Sequence, residues 1–116
     1  MSGYNEPANE LDEHTRNISR AINSLKEELE AVDWYNQRAA TTQDSALKKI
    51  MEHNRDEEIE HACMVLEWLR RNMDKWDEEL KSYLFTTSDV TAVEAGNNDS
   101  APAPQRRGSD LGIGKL

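Results

Sequence analysis

The sequence predicts an all-α protein: an antiparallel hairpin of two long helices followed by a short C-terminal helix and a disordered tail. Three observations predict it. The stretch from about Glu10 to Phe85 is poor in Gly, Pro and Ser and dense in helix formers. Within it, apolar residues recur at gaps of three and four, the spacing of one helix face rather than the alternation of a strand. From Thr86 onward the periodicity stops, and Asn, Pro and Gly appear. With 116 residues and 36% apolar content there is room for one domain with a small core.

Residues 1–8 read as a flexible N-terminus and residues 9–85 as the helical domain. The first helix is expected to start near Asn9 or Glu10, with Asn9 as N-cap and acidic residues in the first turn. Its apolar positions are Leu11, Ile18, Ile22, Leu25, Leu29 and Val32, with gaps of 7, 4, 3, 4 and 3, a heptad seam that packs on a partner helix. The pattern fades after Trp34 and Tyr35, and Ala39-Ala40-Thr41-Thr42-Gln43 reads as a short connection, which makes the two helices antiparallel neighbours. Thr42 is the expected cap of the second helix, with Asp44 in its first turn.

The second helix should run from about Asp44 to Met73. Its seam reads Leu47, Ile50, Asn54, Glu58, His61, Val65 and Trp68. The spacing is regular, but three successive inward positions are polar, and that breakage carries information. A third helix is expected over Lys75 to Leu84, with Trp76 and Leu80 on one side. Two long helices and a stub cannot close a four-helix bundle alone, so dimerisation is the economical solution.

Residues 86–108 have too little apolar surface to offset their ordering entropy and read as a disordered linker. Residues 109–116, Ser-Asp-Leu-Gly-Ile-Gly-Lys-Leu, regain apolar character. Extended, they place Leu111 and Ile113 on one face, fit for docking into shallow pockets of another protein.

The net charge is −9, from 14 basic and 23 acidic residues, and most of the acidity lies in the helical part. That disfavours nucleic acid as a partner and favours cations. The longest apolar run, Ala62 to Leu66, is far below the ~18 residues that span a bilayer. The first residues carry neither a basic start nor an apolar segment, so a cytoplasmic location is expected. Cys63 is the single cysteine and forms no intrachain disulfide; it reads as a small packed helix residue.

The chemistry lies in Glu28 and in Glu58-x-x-His61. Residues three apart share a helix face, so Glu58 and His61 can hold one ion together while a carboxylate from the neighbouring helix bridges to a second. Carboxylate-bridged iron in helical bundles uses one Glu from each of two helices and a Glu-x-x-His from each of two others. This chain supplies half of that set, and two copies would complete it. With the turn centred near Ala40, Glu28 and Glu58 are offset by roughly 9 Å along the axis at 1.5 Å per residue. That offset suggests that Glu28 meets Glu58 and His61 of a neighbouring chain.

Other residues follow the same geometry. Glu27, Glu30 and Trp34 share a face, as do His53, Glu57 and Glu60; each set can guide or transiently hold cations, or be an exposed charged face. Tyr35, seven residues from Glu28, can hydrogen-bond a ligand, transfer an electron or serve as a core aromatic.

These segments resemble the encapsulated ferritins: residues 27–35 (Glu-Glu-Leu-Glu-Ala-Val-Asp-Trp-Tyr), 53–61 (His-Asn-Arg-Asp-Glu-Glu-Ile-Glu-His) and 66–71 (Leu-Glu-Trp-Leu-Arg-Arg). The tail at 109–116 resembles the peptide that directs cargo into encapsulin shells. The resemblance implies a ferritin-like four-helix bundle formed by dimers, assembled as a ring of five dimers (a homodecamer), and a ferroxidase that oxidises Fe(II) with O2. It implies Glu28, Glu58 and His61 as ligands of a di-iron site holding two ions per dimer, with Tyr35 beside them. It also implies a region around Glu27, Glu30 and Trp34 through which metal enters, and a secondary cation site at His53, Glu57 and Glu60. The partner would be an encapsulin shell protein, reached through Asp110–Leu116, and the location the inside of an encapsulin nanocompartment, where iron is stored as mineral.

Two alternatives stand beside this reading, a non-catalytic helical-hairpin adaptor and a manganese-binding bundle without oxidase activity. In an adaptor, Glu58 and His61 would be register-setting polar residues. His61→Leu separates adaptor from ferroxidase. An adaptor is stabilised or unchanged in a thermal melt, whereas a ferroxidase loses bound metal and Fe(II) oxidation.

Overall fold

The computed structural model describes residues 3–96. It contains a 3-10 turn, Ala8–Glu10, and four helices: α1 Glu13–Thr41, α2 Ser45–Asn72, α3 Asp74–Tyr83 and α4 Val90–Glu94. The described residues are all-α, without strands. They divide into two compact units, one ending at Asp74 and the other starting at Lys75. The first unit holds the antiparallel hairpin of α1 and α2, which pack along each other. Among the described residues no helix is long and apolar enough to cross a membrane.

Helix α1 starts three residues later than its composition suggests. Asn9 lies inside the 3-10 turn, Leu11 is extended, and Asp12 is the N-cap. The Asp12 carboxylate accepts the Thr15 backbone N–H at 2.7 Å, satisfying a donor that the helix start leaves free. That hydrogen bond holds the Asp12 carboxyl below its usual range. Arg16 folds back and donates from Nη2 to the Ala8 carbonyl, tying the 3-10 turn to the helix.

The far end of α1 differs more usefully. Ala39, Ala40 and Thr41, read as a connection, continue the helix, and Ala39 is buried. Ala is the strongest helix former, and nothing before Thr42 stops the helix. Thr42 turns extended and donates its N–H to the Arg38 carbonyl at 2.9 Å, so it caps α1 rather than α2. Asp44, placed by sequence in the first turn of α2, is its N-cap and accepts the Leu47 N–H at 2.9 Å. The connection is Thr42 to Asp44. One hydrogen bond crosses the hairpin near it, from Arg55 Nη1 to Asn36 Oδ1 at 3.1 Å.

Among the described residues of this unit only Ala39, Ala62 and Leu69 are buried apolar residues, and the seams stay half covered. Ile22 and Leu29 of α1, and Leu47, Ile50 and Trp68 of α2, remain exposed. Each helix has one long neighbour, which cannot cover an apolar stripe some 100° wide. Cys63 is exposed rather than packed.

In the second unit, α3 carries the ion pairs Lys75–Glu79 at 2.7 Å and Lys81–Asp77 at 3.0 Å. It ends before Phe85, an exposed residue in the left-handed region (φ 61°), a conformation that Gly usually supplies. Helix α4 falls inside the stretch read as linker. Asp89 starts it by accepting the Thr91 N–H at 2.9 Å, and Val93 is buried. A local cap is difficult to see in a composition dominated by Thr, Ser and Ala. Residues 97–108 of that stretch and the peptide at 109–116 lie outside the described residues.

Near the end of α2, Glu67 accepts from Arg70 Nε at 2.8 Å and from Arg71 Nε at 2.6 Å. The two guanidinium hydrogen bonds lower the Glu67 carboxyl from 4.5 to about 2. A depressed carboxyl adds stability above its unfolded value, and that stability is lost as pH falls through the folded one. Glu67→Gln should therefore be less stable than wild type in urea unfolding above pH 4.5, and the gap should close as pH falls toward about 2. The difference between variant and wild type should shrink in salt near ~1 M, because the pair is exposed.

Candidate metal centre

Because α1 continues to Thr41, the hairpin turns about Gln43 rather than Ala40. Glu28 stands 15 residues before Gln43 and Glu58 15 residues after it. The two carboxylates therefore lie level within one chain, and the 9 Å offset expected from a turn at Ala40 disappears. The hairpin's own register therefore brings Glu28 beside Glu58 and His61 within one chain.

His61 Nδ1 lies 3.6 Å from Glu28 Oε1 and 3.5 Å from Glu58 Oε1. One ligand atom from each residue falls within 4.8 Å of the others, and no other such group of three His, Cys, Asp or Glu forms among the described residues. Donors about 2.1 Å from one ion at tetrahedral to octahedral angles stand roughly 3.0–3.4 Å apart. The observed spacings need only small side-chain shifts to close on an ion. The side chains of Glu28 and Glu58 are 25% and 26% exposed, partly desolvated yet open to a ligand.

The electrostatics of the pair favour a cation. The Glu28 carboxyl is raised above its usual range, first by its hydrogen bond with Glu58, then by burial and by the Glu58 charge; His61 acts in the opposite direction. Two adjacent carboxylates resist ionising together. A proton between them relieves the repulsion, and a divalent ion at the same place would relieve more of it. Two oxygens and one imidazole nitrogen form a donor set suited to iron or manganese more than to zinc, which favours several His or Cys.

The remaining candidate residues are distributed differently. Tyr35 is half-buried two turns along α1, with the Arg38 guanidinium 5.1 Å from its ring centroid. Glu27, Glu30 and Trp34 are exposed on α1 and form no three-ligand group among the described residues. His53 Nε2 is 4.0 Å from Glu57 Oε2. Glu60 instead lines a shallow groove on α2 with Cys63, Met64, Glu67, Trp68 and Arg71. One contact went unread in the sequence: the other oxygen of Glu57, Oε1, is 4.0 Å from His61 Nε2. Its signal was present as the four-residue step from Glu57 to His61.

With this geometry in place, comparison with known proteins is informative. The sequence profile of the EncFtn-like family matches residues 3–87. The chain belongs to the EncFtn-like family. A ferritin-like protein of Thermotoga maritima is 55% identical over 113 residues, covering 97% of this chain and 96% of that one. An encapsulated ferritin-like protein of Rhodospirillum rubrum is 51% identical over 119 aligned positions, covering 96% of this chain and 85% of that one. Among solved structures, the crystal structure of protein ne0167 from Nitrosomonas europaea superposes with a TM-score of 0.74 at 57% identity. It covers 77% of this chain and 98% of that one. The EncFtn-like match spans both hairpin helices and all three residues of the cluster.

The raised Glu28 carboxyl has a consequence for the metal-free protein. Folding takes up a proton there, so the folded state is favoured at low pH and loses that advantage as pH rises through the raised value. Glu58→Gln removes the repelling charge. In urea unfolding at fixed protein concentration and without metal, this variant should be more stable than wild type at pH 7. The gap should close below pH 4.5, where Glu28 is protonated in both states. A wild type that is the more stable one at pH 7 would contradict the repulsion argument.

Proposed function

We propose that this protein is a ferroxidase, oxidising Fe(II) to Fe(III) with O2 at a di-iron site shared between two subunits, and that it supplies iron for mineral storage inside an encapsulin shell. The observation that carries the reading is the convergence of Glu28, Glu58 and His61 on ligand atoms within 4.8 Å. The encapsulated ferritin-like name of the Rhodospirillum rubrum relative, aligned over 96% of this chain, supports the iron and shell parts of it.

One chain offers three ligands. A second hairpin related by a two-fold axis would bring another Glu28, Glu58 and His61, giving six ligands for two ions and the paired Glu and Glu-x-x-His pattern of carboxylate-bridged iron. The exposed seam residues Ile22, Leu29, Leu47 and Ile50 offer apolar surface for such a dimer. Five dimers in a ring would complete the assembly.

Fe(II) is the substrate, and each ion gives one electron to O2. Glu28 and Glu58 supply negative charge that favours the more highly charged product. His61 supplies a neutral nitrogen, Nδ1, on the side of the two carboxylates. A proton taken up at Glu28, whose carboxyl is raised by its hydrogen bond with Glu58, would leave as the cation arrives, so uptake at low pH would release protons. Glu27, Glu30 and Trp34 would guide incoming ions, His53, Glu57 and Glu60 would form a secondary cation site, and Tyr35 would lie beside the centre as a hydrogen-bonding or electron-transfer group. Asp110–Leu116 would bind the shell.

Anaerobic loading with Fe(II) followed by air, read as Fe(III) formation, tests the proposal. Wild type should oxidise iron well above the protein-free rate, and Glu58→Ala should fall by at least about tenfold, roughly 1.4 kcal/mol of barrier. Equal background rates in both would sink the ferroxidase reading.

A further inference from the structure

We infer that Glu57 is a positioning residue for the metal centre: its carboxylate accepts the Nε2–H of His61 and so holds Nδ1 toward Glu28 and Glu58. The inference rests on the proposed metal centre and goes beyond it, since it concerns a residue outside the ligand set.

The geometry assigns the two ring nitrogens of His61 to opposite duties. Nδ1 lies on the side of Glu28 Oε1 and Glu58 Oε1, at 3.6 and 3.5 Å. Nε2 faces away, 4.0 Å from Glu57 Oε1. A neutral imidazole that gives the lone pair of Nδ1 to a metal carries its proton on Nε2. Metal-ligating histidines commonly donate that second N–H to a carboxylate, which fixes the tautomer and the ring plane and makes the ligand nitrogen more basic. Glu57 is the carboxylate available. It stands one helical turn before His61 on α2, where side chains four apart meet.

At 4.0 Å the contact is longer than a hydrogen bond, and closing it requires a side-chain rotation of Glu57. The freedom to rotate exists, for the Glu57 side chain is 47% exposed. Glu57 Oε2 is 4.0 Å from His53 Nε2, so the carboxylate sits between two imidazoles. The competing reading is an exposed charge that helps only by raising the local negative potential. The two readings differ in what Gln can replace. A carboxamide oxygen still accepts an N–H bond but carries no charge.

The experiment is Co2+ binding to the full-length protein, read by visible absorption in competition with a chelator, for wild type, Glu57→Ala, Glu57→Gln, Asp56→Ala and Glu58→Ala. Asp56→Ala removes the same charge one residue away and serves as the electrostatic control. At the Glu58-dependent site Glu57→Ala should weaken binding by about 10- to 100-fold, Glu57→Gln should recover most of that loss, and Asp56→Ala should stay within about threefold of wild type. Melting of the metal-free Glu57→Ala protein should match wild type, which separates positioning from loss of fold. Glu57→Gln as weak as Glu57→Ala, or Asp56→Ala as damaging as Glu57→Ala, would overturn the inference in favour of charge alone. Unchanged binding in Glu57→Ala would overturn it while leaving the metal centre standing. A wild type with no Glu58-dependent Co2+ binding would remove both.

Discussion

Thr42 returns its N–H to the Arg38 carbonyl, and two residues later Asp44 accepts the Leu47 N–H, so α1 ends and α2 begins within a three-residue connection. The arrangement of the functional residues depends on this pair of caps. Each residue moved from the connection into a helix would turn everything beyond it by about 100° and advance it by about 1.5 Å. With the caps where they are, Glu28 and Glu58 are equidistant from Gln43, and the three-residue step from Glu58 adds His61 to the same face. The Arg55 to Asn36 hydrogen bond, between the turn and the Glu28–Glu58–His61 cluster, also ties the two helices together. Register here is set by local polar contacts because the seam is too sparsely buried to set it by packing.

The same register creates a conflict. It places two carboxylates side by side in a hairpin that already belongs to a chain with a net charge of −9. The hairpin tolerates them because Glu28 keeps a proton more readily than a free carboxyl and because His61 stands between them as a polar partner. A site selected only for stability would carry Leu or Val at these seam positions, as Leu25 and Val65 do nearby. Repulsion of this kind is the physical counterpart of cation affinity, since what destabilises the empty cluster is relieved when a positive ion arrives.

Much of this was legible in the sequence. The all-α class, the hairpin, α3 and the inward position of Glu58 and His61 followed from gaps of three and four, which are the direct record of helix geometry. The errors sit at boundaries, where one side chain decides. Asn9 and Asp12 are both good caps, and only the geometry reveals that Asp12 reaches the Thr15 N–H. Asp44 took the capping role expected of Thr42, and Thr42 closes α1 instead. That small boundary error moved the turn and produced the roughly 9 Å offset between Glu28 and Glu58, which the continuous α1 removes. Helix α4 was missed because its Asp89 cap lies in a stretch of linker-like composition, and the Glu57 contact because its four-residue step to His61 competes with the equal step to His53.

The incompleteness of the hairpin and the incompleteness of the metal centre have one geometric origin. A helix with a single long neighbour leaves part of its apolar stripe bare, which is why Ile22, Leu29, Leu47 and Ile50 stay exposed while Ala39, Ala62 and Leu69 are covered. The polar residues on the α2 seam lie along the same line as the bare apolar ones, with Ile50 before Glu58 and Trp68 after His61. A partner hairpin that covered the apolar positions would therefore also face the acidic cluster. Under the proposed function, apolar burial and metal ligation act on one surface: bare carboxylates oppose association there, and bound cations promote it. Metal affinity and subunit association then become linked quantities, each strengthening the other by the same factor. In such a system the hydrophobic seam can be modest, because the ions contribute the rest of the cohesion at the one place where the seam is polar.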